Sequence, residues 1–338
     1  MFDQYLQQLI DNGELPGATL HVQHHGRTVF HKAYGTYHDR QNNLSTITKT
    51  TQFDVASLTK VMATLPSILW LLDNSSLKLD HSIQTYIPEF KHKEVTISHA
   101  LTHTSGLAAD LKRMTRNEWR PVFEEITALS LLHKPGEKVL YSDSGMILLG
   151  KVIERISGLS LSTFADTYLY CPWGLESTGF HPTDQTNIAS TETYDGSYIQ
   201  GVVHDEKALH LGGESGSAGL FSTSNDVGKF GSLFLYPERQ TVLSEKRIRQ
   251  AQKHVVGNRG LGFEVWSGKG ANLSCGGRWS IGSFGHTGFT GTSLWIDPVE
   301  ELVVTFLTNI VHYGRKHNMK VIRPHLHSLI HSTFIKGE

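Results

Sequence analysis

The position of the strands along this chain restricts its fold more than any other feature. Near the start, Ala18, Leu20 and Val22 alternate with Thr19, His21 and Gln23, the period-two pattern of a half-buried strand. The turn His24-His25-Gly26-Arg27 follows, and a second strand runs through Val29 and Phe30 towards Tyr34. The other strand-like runs lie at the far end: Arg278–Gly285, Gly291–Ile296 and Leu302–Asn309, the last with the β-branched run Val303-Val304-Thr305. A helix precedes the first pair, with Phe2, Leu6, Leu9 and Ile10 at helical spacing, and a helical segment over Pro324–Ile335 closes the chain. The sheet must therefore be assembled from both termini. The expected fold class is α+β: an antiparallel five-stranded sheet flanked by terminal helices, with a mainly helical inserted lobe. Helical apolar spacing marks Ser57–Asp73 and Gly145–Gly158, and Pro88 and Pro135 punctuate the loops. No internal repeat or low-complexity tract is present. The chain reads as a single unit, with a sheet lobe over residues 1–56 and 241–338 and a helical lobe over 57–240.

Composition excludes several function classes. With 31 basic and 32 acidic residues among 338, the net charge is −1, so the electrostatic footprint of a nucleic-acid binder is missing. The longest apolar stretches, such as Leu65–Leu72, fall short of the roughly 18 residues that span a bilayer. The opening residues mix acidic and polar side chains with single apolar ones and lack the pattern of a secretory signal, so a cytoplasmic location is expected. The two cysteines, Cys171 and Cys275, are too few and too far apart for a disulfide framework or zinc site, and read as free thiols, buried or partly so. Histidine is frequent, at 20 residues. His327 and His331 share a helix face at i,i+4, but Ser328 follows the first where a zincin carries Glu, so they read as surface histidines of an amphipathic helix.

The chemistry concentrates in three places. In Phe53-Asp54-Val55-Ala56-Ser57-Leu58-Thr59-Lys60, followed at once by an apolar helical run, Ser57 and Lys60 stand three residues apart, so both project from one helix face. A serine hydroxyl is a poor nucleophile at neutral pH and needs an adjacent base, which a lysine becomes when its surroundings lower its pKa. The early-helix position also brings backbone amides near Ser57. Alone, the tetrapeptide reads equally as a helix cap followed by a solvated lysine. Two further motifs change that: Tyr141-Ser142-Asp143 before a second apolar helix, and Gly285-His286-Thr287-Gly288-Phe289 between two strand-like runs.

Together these resemble the serine β-lactamase and penicillin-binding-protein family, in its class C β-lactamase, D-alanyl-D-alanine carboxypeptidase and esterase-like branch. That family carries Ser-x-x-Lys, Ser-Asp-Asn and Lys-Thr-Gly elements; here the second takes a tyrosine form and the third has His286 in place of lysine. Ile97–Leu107 and Ser217–Thr223 also resemble segments of this branch, and the likeness spans nearly the whole chain. It implies that Ser57 attacks a carbonyl, that Lys60 takes or helps take its proton, and that Tyr141 relays a proton to the leaving group. The backbone N–H groups of Ser57 and Phe289 would form the oxyanion hole, and water would release the acyl-enzyme, with no cofactor and no metal.

Two departures carry consequences. Asp143 stands where many relatives have asparagine; an ionised carboxylate near Lys60 would stabilise the ammonium and shift the burden to Tyr141, while its alternative role is to bind backbone amides and position the turn. His286 weakens the permanent positive charge available to a substrate carboxylate, and its titration is expected to matter between about pH 6 and 8. His103 reads as a loop histidine that hydrogen-bonds backbone rather than a base, and Trp119, Trp173 and Trp266 as core or pocket aromatics. The motifs do not separate three substrate classes, since all pass through an acyl-serine. A small-molecule esterase or amidase is the expected activity, ahead of a D-alanyl-D-alanine carboxypeptidase and a β-lactamase; a catalytically silent binding scaffold is the alternative of another class. The expected partner is a small ester, amide or peptide.

Overall fold

The computed structural model describes residues 1–112, 114–269 and 273–335. Helix α1 (Phe2–Asp11) leads into strands β1 (Gly17–His24), β2 (Arg27–His38), β3 (Leu44–Thr46) and β4 (Phe53–Asp54). Helices α2 (Leu65–Asn74) and α3 (Asp143–Ser157) belong to the helical segment, which also holds β5 (Gly179–Phe180), β6 (Leu220–Ser222) and α4 (Ser224–Leu235). The chain then returns to the sheet through β7 (Glu264–Val265), β8 (Phe284–Thr287), β9 (Ser293–Asp297) and β10 (Leu302–Thr308), and ends on α5 (Met319–Phe334).

The main sheet has the order β3-β2-β1-β10-β9-β8-β7, and each adjacent pair runs antiparallel. Its centre joins the two ends of the chain: Ala18 pairs with Thr308, Leu20 with Phe306 and Val22 with Val304. It has seven strands rather than five. The extra two, β3 and β7, lie at opposite edges and are three and two residues long, too short to show an alternation in sequence. The run expected over Arg278–Gly285 becomes strand only from Phe284, because Gly276 and Gly282 take positive φ values of 81° and 94° and turn the chain first.

Each central strand is buried on both faces, so its two alternating sets serve two cores. Leu302, Val304, Phe306 and Trp295 pack with Leu20, Val22 and the terminal helices through Phe2, Leu6, Leu326 and Ile330. Val303, Leu307, Leu294 and Ile296 face the other way, onto Val227, Phe230 and Phe234 of α4 and the rest of the helical segment. A small sheet, β4-β6-β5, sits just before Ser57 and aligns Phe53 with Ser222 and Asp54 with Phe221.

Helix α5 begins five residues earlier than expected and contains Pro324. Proline removes the donor to the carbonyl four residues before it, which belongs to the exposed residue Lys320. The helix lies on the sheet, so His327 and His331 are buried rather than on the surface: the His327 ring pairs with Ser293 Oγ at 3.0 Å. Among the described residues no group of three or more side chains is arranged to hold a metal ion, and no helix is long and apolar enough to cross a membrane. Cys275 is buried, but Cys171 is exposed, at the start of a short helix beside Asp166.

Candidate active site

The Ser57 segment is not one regular helix. A single 3₁₀ turn over Ala56–Leu58 is followed by a wide π turn over Lys60–Thr64, and only then by α2. Pro66, the second residue of α2, has no N–H to offer Met62, so the α-helical ladder cannot run through this point; the Leu65 N–H bonds Lys60 O instead. Just before the nucleophile candidate, Ala56 sits at φ 48°, a left-handed conformation that costs a non-glycine residue about 1–3 kcal/mol. Asp54 holds it there: its Oδ1 accepts from the Ala56 N–H at 2.8 Å and its Oδ2 from the His204 N–H at 2.7 Å.

Lys60 is wholly buried. Its Nζ donates to Ser57 Oγ at 2.8 Å and to the Ser217 carbonyl at 2.9 Å, and lies 2.8 Å from Asp143 Oδ1. Two hydrogen bonds and one ion pair thus surround the amine. Burial on its own would lower the Lys60 pKa, but Asp143 and Tyr141 outweigh it and the pKa is raised. The Ser217–Thr223 segment is thus a wall of the site, fixed also by Thr64 Oγ1 donating to Gly216 O at 2.7 Å.

Tyr141 stands over this amine, its ring centroid 5.1 Å from Lys60 Nζ. His103 lies against it at 4.5 Å between centroids, His286 at 6.0 Å, and the Arg259 guanidinium 5.3 Å from its ring centre. Burial raises the phenol pKa, Lys60 counters the rise and Asp143 adds to it. His103 supports the turn: its Nδ1 accepts from the Ser142 N–H at 3.1 Å and its carbonyl from the Leu140 N–H at 2.8 Å. Ser142 caps α3, so Asp143 is released from that duty and faces Lys60; the turn-positioning alternative for Asp143 does not describe this geometry.

The third motif closes the site from β8. Gly288 packs so tightly that an added Cβ would lie 2.1 Å from Thr292 Oγ1 and 2.6 Å from Val55 O, which brings the turn after β8 against the Ser57 segment. Thr292 Oγ1 donates to Val55 O at 3.0 Å and Thr290 Oγ1 to Asp54 O at 2.7 Å, tying the same two segments together. His286 Nδ1 donates to Thr287 O at 2.9 Å. Burial, with Arg259 and Lys60 adding to it, drives the His286 pKa well below its ordinary value. The shift favours the neutral ring, against the titration expected of His286 between about pH 6 and 8.

A cavity of about 430 Å³ opens over Ser57. Tyr141, Asp143, Thr287, Gly288 and Phe289 line it together with Lys207 and Arg323. Phe289 stands half-exposed at its mouth, 5.7 Å from the His204 ring between centroids. Three of its charged neighbours escaped sequence reasoning. Arg259 precedes β7, Lys207 lies in the short helix Glu206–His210, and Arg323 is on α5; none belongs to a spaced motif. Arg323 is buried, donates to Gly288 O at 3.1 Å, and its Nε has no hydrogen-bond partner among the described residues. Of the tryptophans, Trp173 fills the core, Trp119 is exposed and Trp266 is partly buried; none lines this cavity.

A serine, a buried lysine and a tyrosine thus meet beneath the turn after β8 in a mixed fold with an antiparallel sheet. The profile of the Beta-lactamase family matches residues 2–325, and the chain belongs to that family. Proteins of Salmonella agona and Salmonella typhimurium, each provisionally named D-alanyl-D-alanine carboxypeptidase, are 30% identical over 92% of this chain and 82% of their own length. Among solved structures, EstCE1, a hydrolase with promiscuous acyltransferase activity, superposes with a TM-score of 0.79 at 22% identity, over 96% of this chain and 97% of that one. The octameric penicillin-binding protein homologue from Pyrococcus abyssi gives 0.74 at 22% identity, over 97% and 76%. The LovD6 mutant of simvastatin synthase from Aspergillus terreus gives 0.77 at 18%, over 99% and 95%.

Proposed function

We propose that this protein is a serine hydrolase that cleaves small-molecule esters or amides through an acyl-enzyme on Ser57. The contact of 2.8 Å between Lys60 Nζ and Ser57 Oγ carries the reading. Ser57 Oγ attacks the carbonyl and gives up its proton to the Lys60–Tyr141 pair. Neither member can take that proton while Lys60 is an ammonium and Tyr141 a phenol, so the pair must first lose one proton; the ammonium favours its loss from Tyr141, while burial and Asp143 oppose it. The backbone N–H groups of Ser57 and Phe289 stabilise the oxyanion, Tyr141 returns the proton to the leaving group, and water attacks the acyl-serine in a second round. Thr287 and Gly288 hold the substrate beside this turn. The neutral His286 supports uncharged esters as substrates, since it offers no cation to a carboxylate. A cytoplasmic location is part of the same proposal.

Arg323 favours a second reading. Its guanidinium belongs to the cavity wall, and its positive charge would attract a substrate carboxylate. A D-alanyl-D-alanine carboxypeptidase activity, named for the 30% identical relatives, presents such a group. The test is a panel of a neutral ester, a D-alanyl-D-alanine peptide and a cephalosporin, run with fluorophosphonate labelling. One label per chain on Ser57 and fastest turnover of the ester is the expected result. Labelling of another serine, or none, would overturn the proposal, and turnover of the D-peptide alone would establish the second reading.

A further inference from the structure

We propose that Lys207 is a positioning residue for the acylation of Ser57: its ammonium grips the second oxygen of Asp143 and limits how much of that carboxylate's charge reaches Lys60 and Tyr141. The proposal rests on the acyl-serine reading above and adds a control on when that site becomes reactive.

Asp143 bridges two buried lysines. Oδ1 is 2.8 Å from Lys60 Nζ and Oδ2 is 3.2 Å from Lys207 Nζ. Lys207 is itself only 4% exposed, which is an expensive place for an ammonium unless it is paired. It is paired three times, with Asp110 at 2.8 Å, Asp205 at 3.0 Å and Asp143. Three carboxylates from three separate segments thus converge on one side chain. Asp205 is fixed by capping the helix Glu206–His210, where its side chain accepts from the Ala208 N–H at 2.9 Å, so Lys207 is anchored on a short capped helix rather than on a loose stem.

The physical consequence follows from the signs. Asp143 facing Lys60 alone would hold the lysine as an ammonium and raise the phenol of Tyr141, so the pair would yield its proton only at high pH. A second cation on the far oxygen offsets that field. It acts in the same direction on both members of the pair, so the conclusion is independent of which one loses the proton. Other charged groups facing the site are Arg323 and Lys320 on the cavity wall and, on the Tyr141 side, Arg259 with the neutral rings of His103 and His286. On the Lys207 side, Glu206 is bound to Arg315 and His204 to Glu192. Of the charged side chains named here, Lys207 and Lys60 are the two that contact Asp143.

The experiment compares the pH dependence of kcat/KM for one neutral ester in the wild type, Lys207→Met, Lys207→Arg, Asp143→Asn and the double variant Lys207→Met/Asp143→Asn. Losing Lys207 is expected to move the acid limb up by about one pH unit, with Lys207→Arg restoring most of it. In the Asp143→Asn background the same loss is expected to move the limb by less than half as much, because the carboxylate that transmits the effect is gone. An unmoved limb in a Lys207→Met protein that still takes one fluorophosphonate label, or equal shifts in both backgrounds, would overturn the proposal. If Lys207→Met fails to fold, Lys207→Gln and the Arg variant are read by the same criterion. A wild type that takes no label on Ser57 would instead count against the acyl-serine reading itself.

Discussion

At Lys60 two hydrogen bonds and an ion pair meet one amine, and the ion-pair partner, Asp143, brings a carboxylate charge. Replacing that charge is the most direct probe of the site. Asp143→Asn keeps the shape, removes the field that holds Lys60 protonated and raises Tyr141, and is expected to move the acid limb of kcat/KM to lower pH; a pH–rate series on a neutral ester measures it. Ser57→Ala is expected to abolish labelling and cost on the order of 10⁴-fold in kcat with an unchanged melting temperature. At His286 the expectation is of no effect: the KM ratio of a carboxylated and a neutral ester should stay constant between about pH 6 and 8, since burial keeps the ring neutral there. A ratio rising towards acid pH would show that the ring does titrate. Ser57, Lys60, Tyr141 and Asp143 could be read from sequence because each lies in a short spaced motif. Lys207, Arg259 and Arg323 could not, because only tertiary packing brings Lys207 and Arg323 to the cavity and Arg259 to the Tyr141 ring, and the burial around His286 has no local signature.

The turn after β8 is where a strand and the Ser57 segment are locked together. Gly288→Ala would force a Cβ against Thr292 Oγ1 and Val55 O, and the turn carrying Phe289 would have to move away from Ser57. A displacement of about 1 Å at reacting groups can cost roughly 100-fold in rate, while overpacking costs about 1–3 kcal/mol of stability. Gly288→Ala is therefore expected to lower kcat far more than a Tm drop of a few degrees would suggest, checked by steady-state kinetics beside thermal unfolding. The core strands and long helices were legible from apolar periodicity. The π turn at Lys60–Thr64 was not, since its cause is the single missing donor of Pro66, and the edge strands β3 and β7 were too short to leave a pattern.

Across the whole molecule, two cores share one sheet, and α1 and α5 cover the same face of it. That both ends build the sheet was plain from the placement of the strands; which face each helix covers was not, and His327 shows why, since a helix face looks alike in sequence whether it meets water or a sheet. Because β1 is paired on both sides, with β2 and β10, neither core can open without the other losing its wall. Chemical denaturation is expected to remove tryptophan fluorescence, far-UV ellipticity and ester turnover at one common midpoint. Separate midpoints would mean that the helical segment and the sheet unfold independently.

The central pairing of β1 with β10 also sets an order of events during synthesis. Thr308 bonds Gly17 across 291 positions, so the hairpin made first must wait for nearly the entire chain. At about 5–20 residues per second that wait is tens of seconds, during which the inner edge of β1, with Ala18, Leu20 and Val22, has no strand to pair with. Such an edge is a template for the wrong partner, and the nascent chain must be shielded or kept dilute until Leu302–Thr308 emerges. A polypeptide released before that point carries Ser57, Lys60 and Tyr141 intact, yet lacks the strand that completes the sheet carrying Gly288.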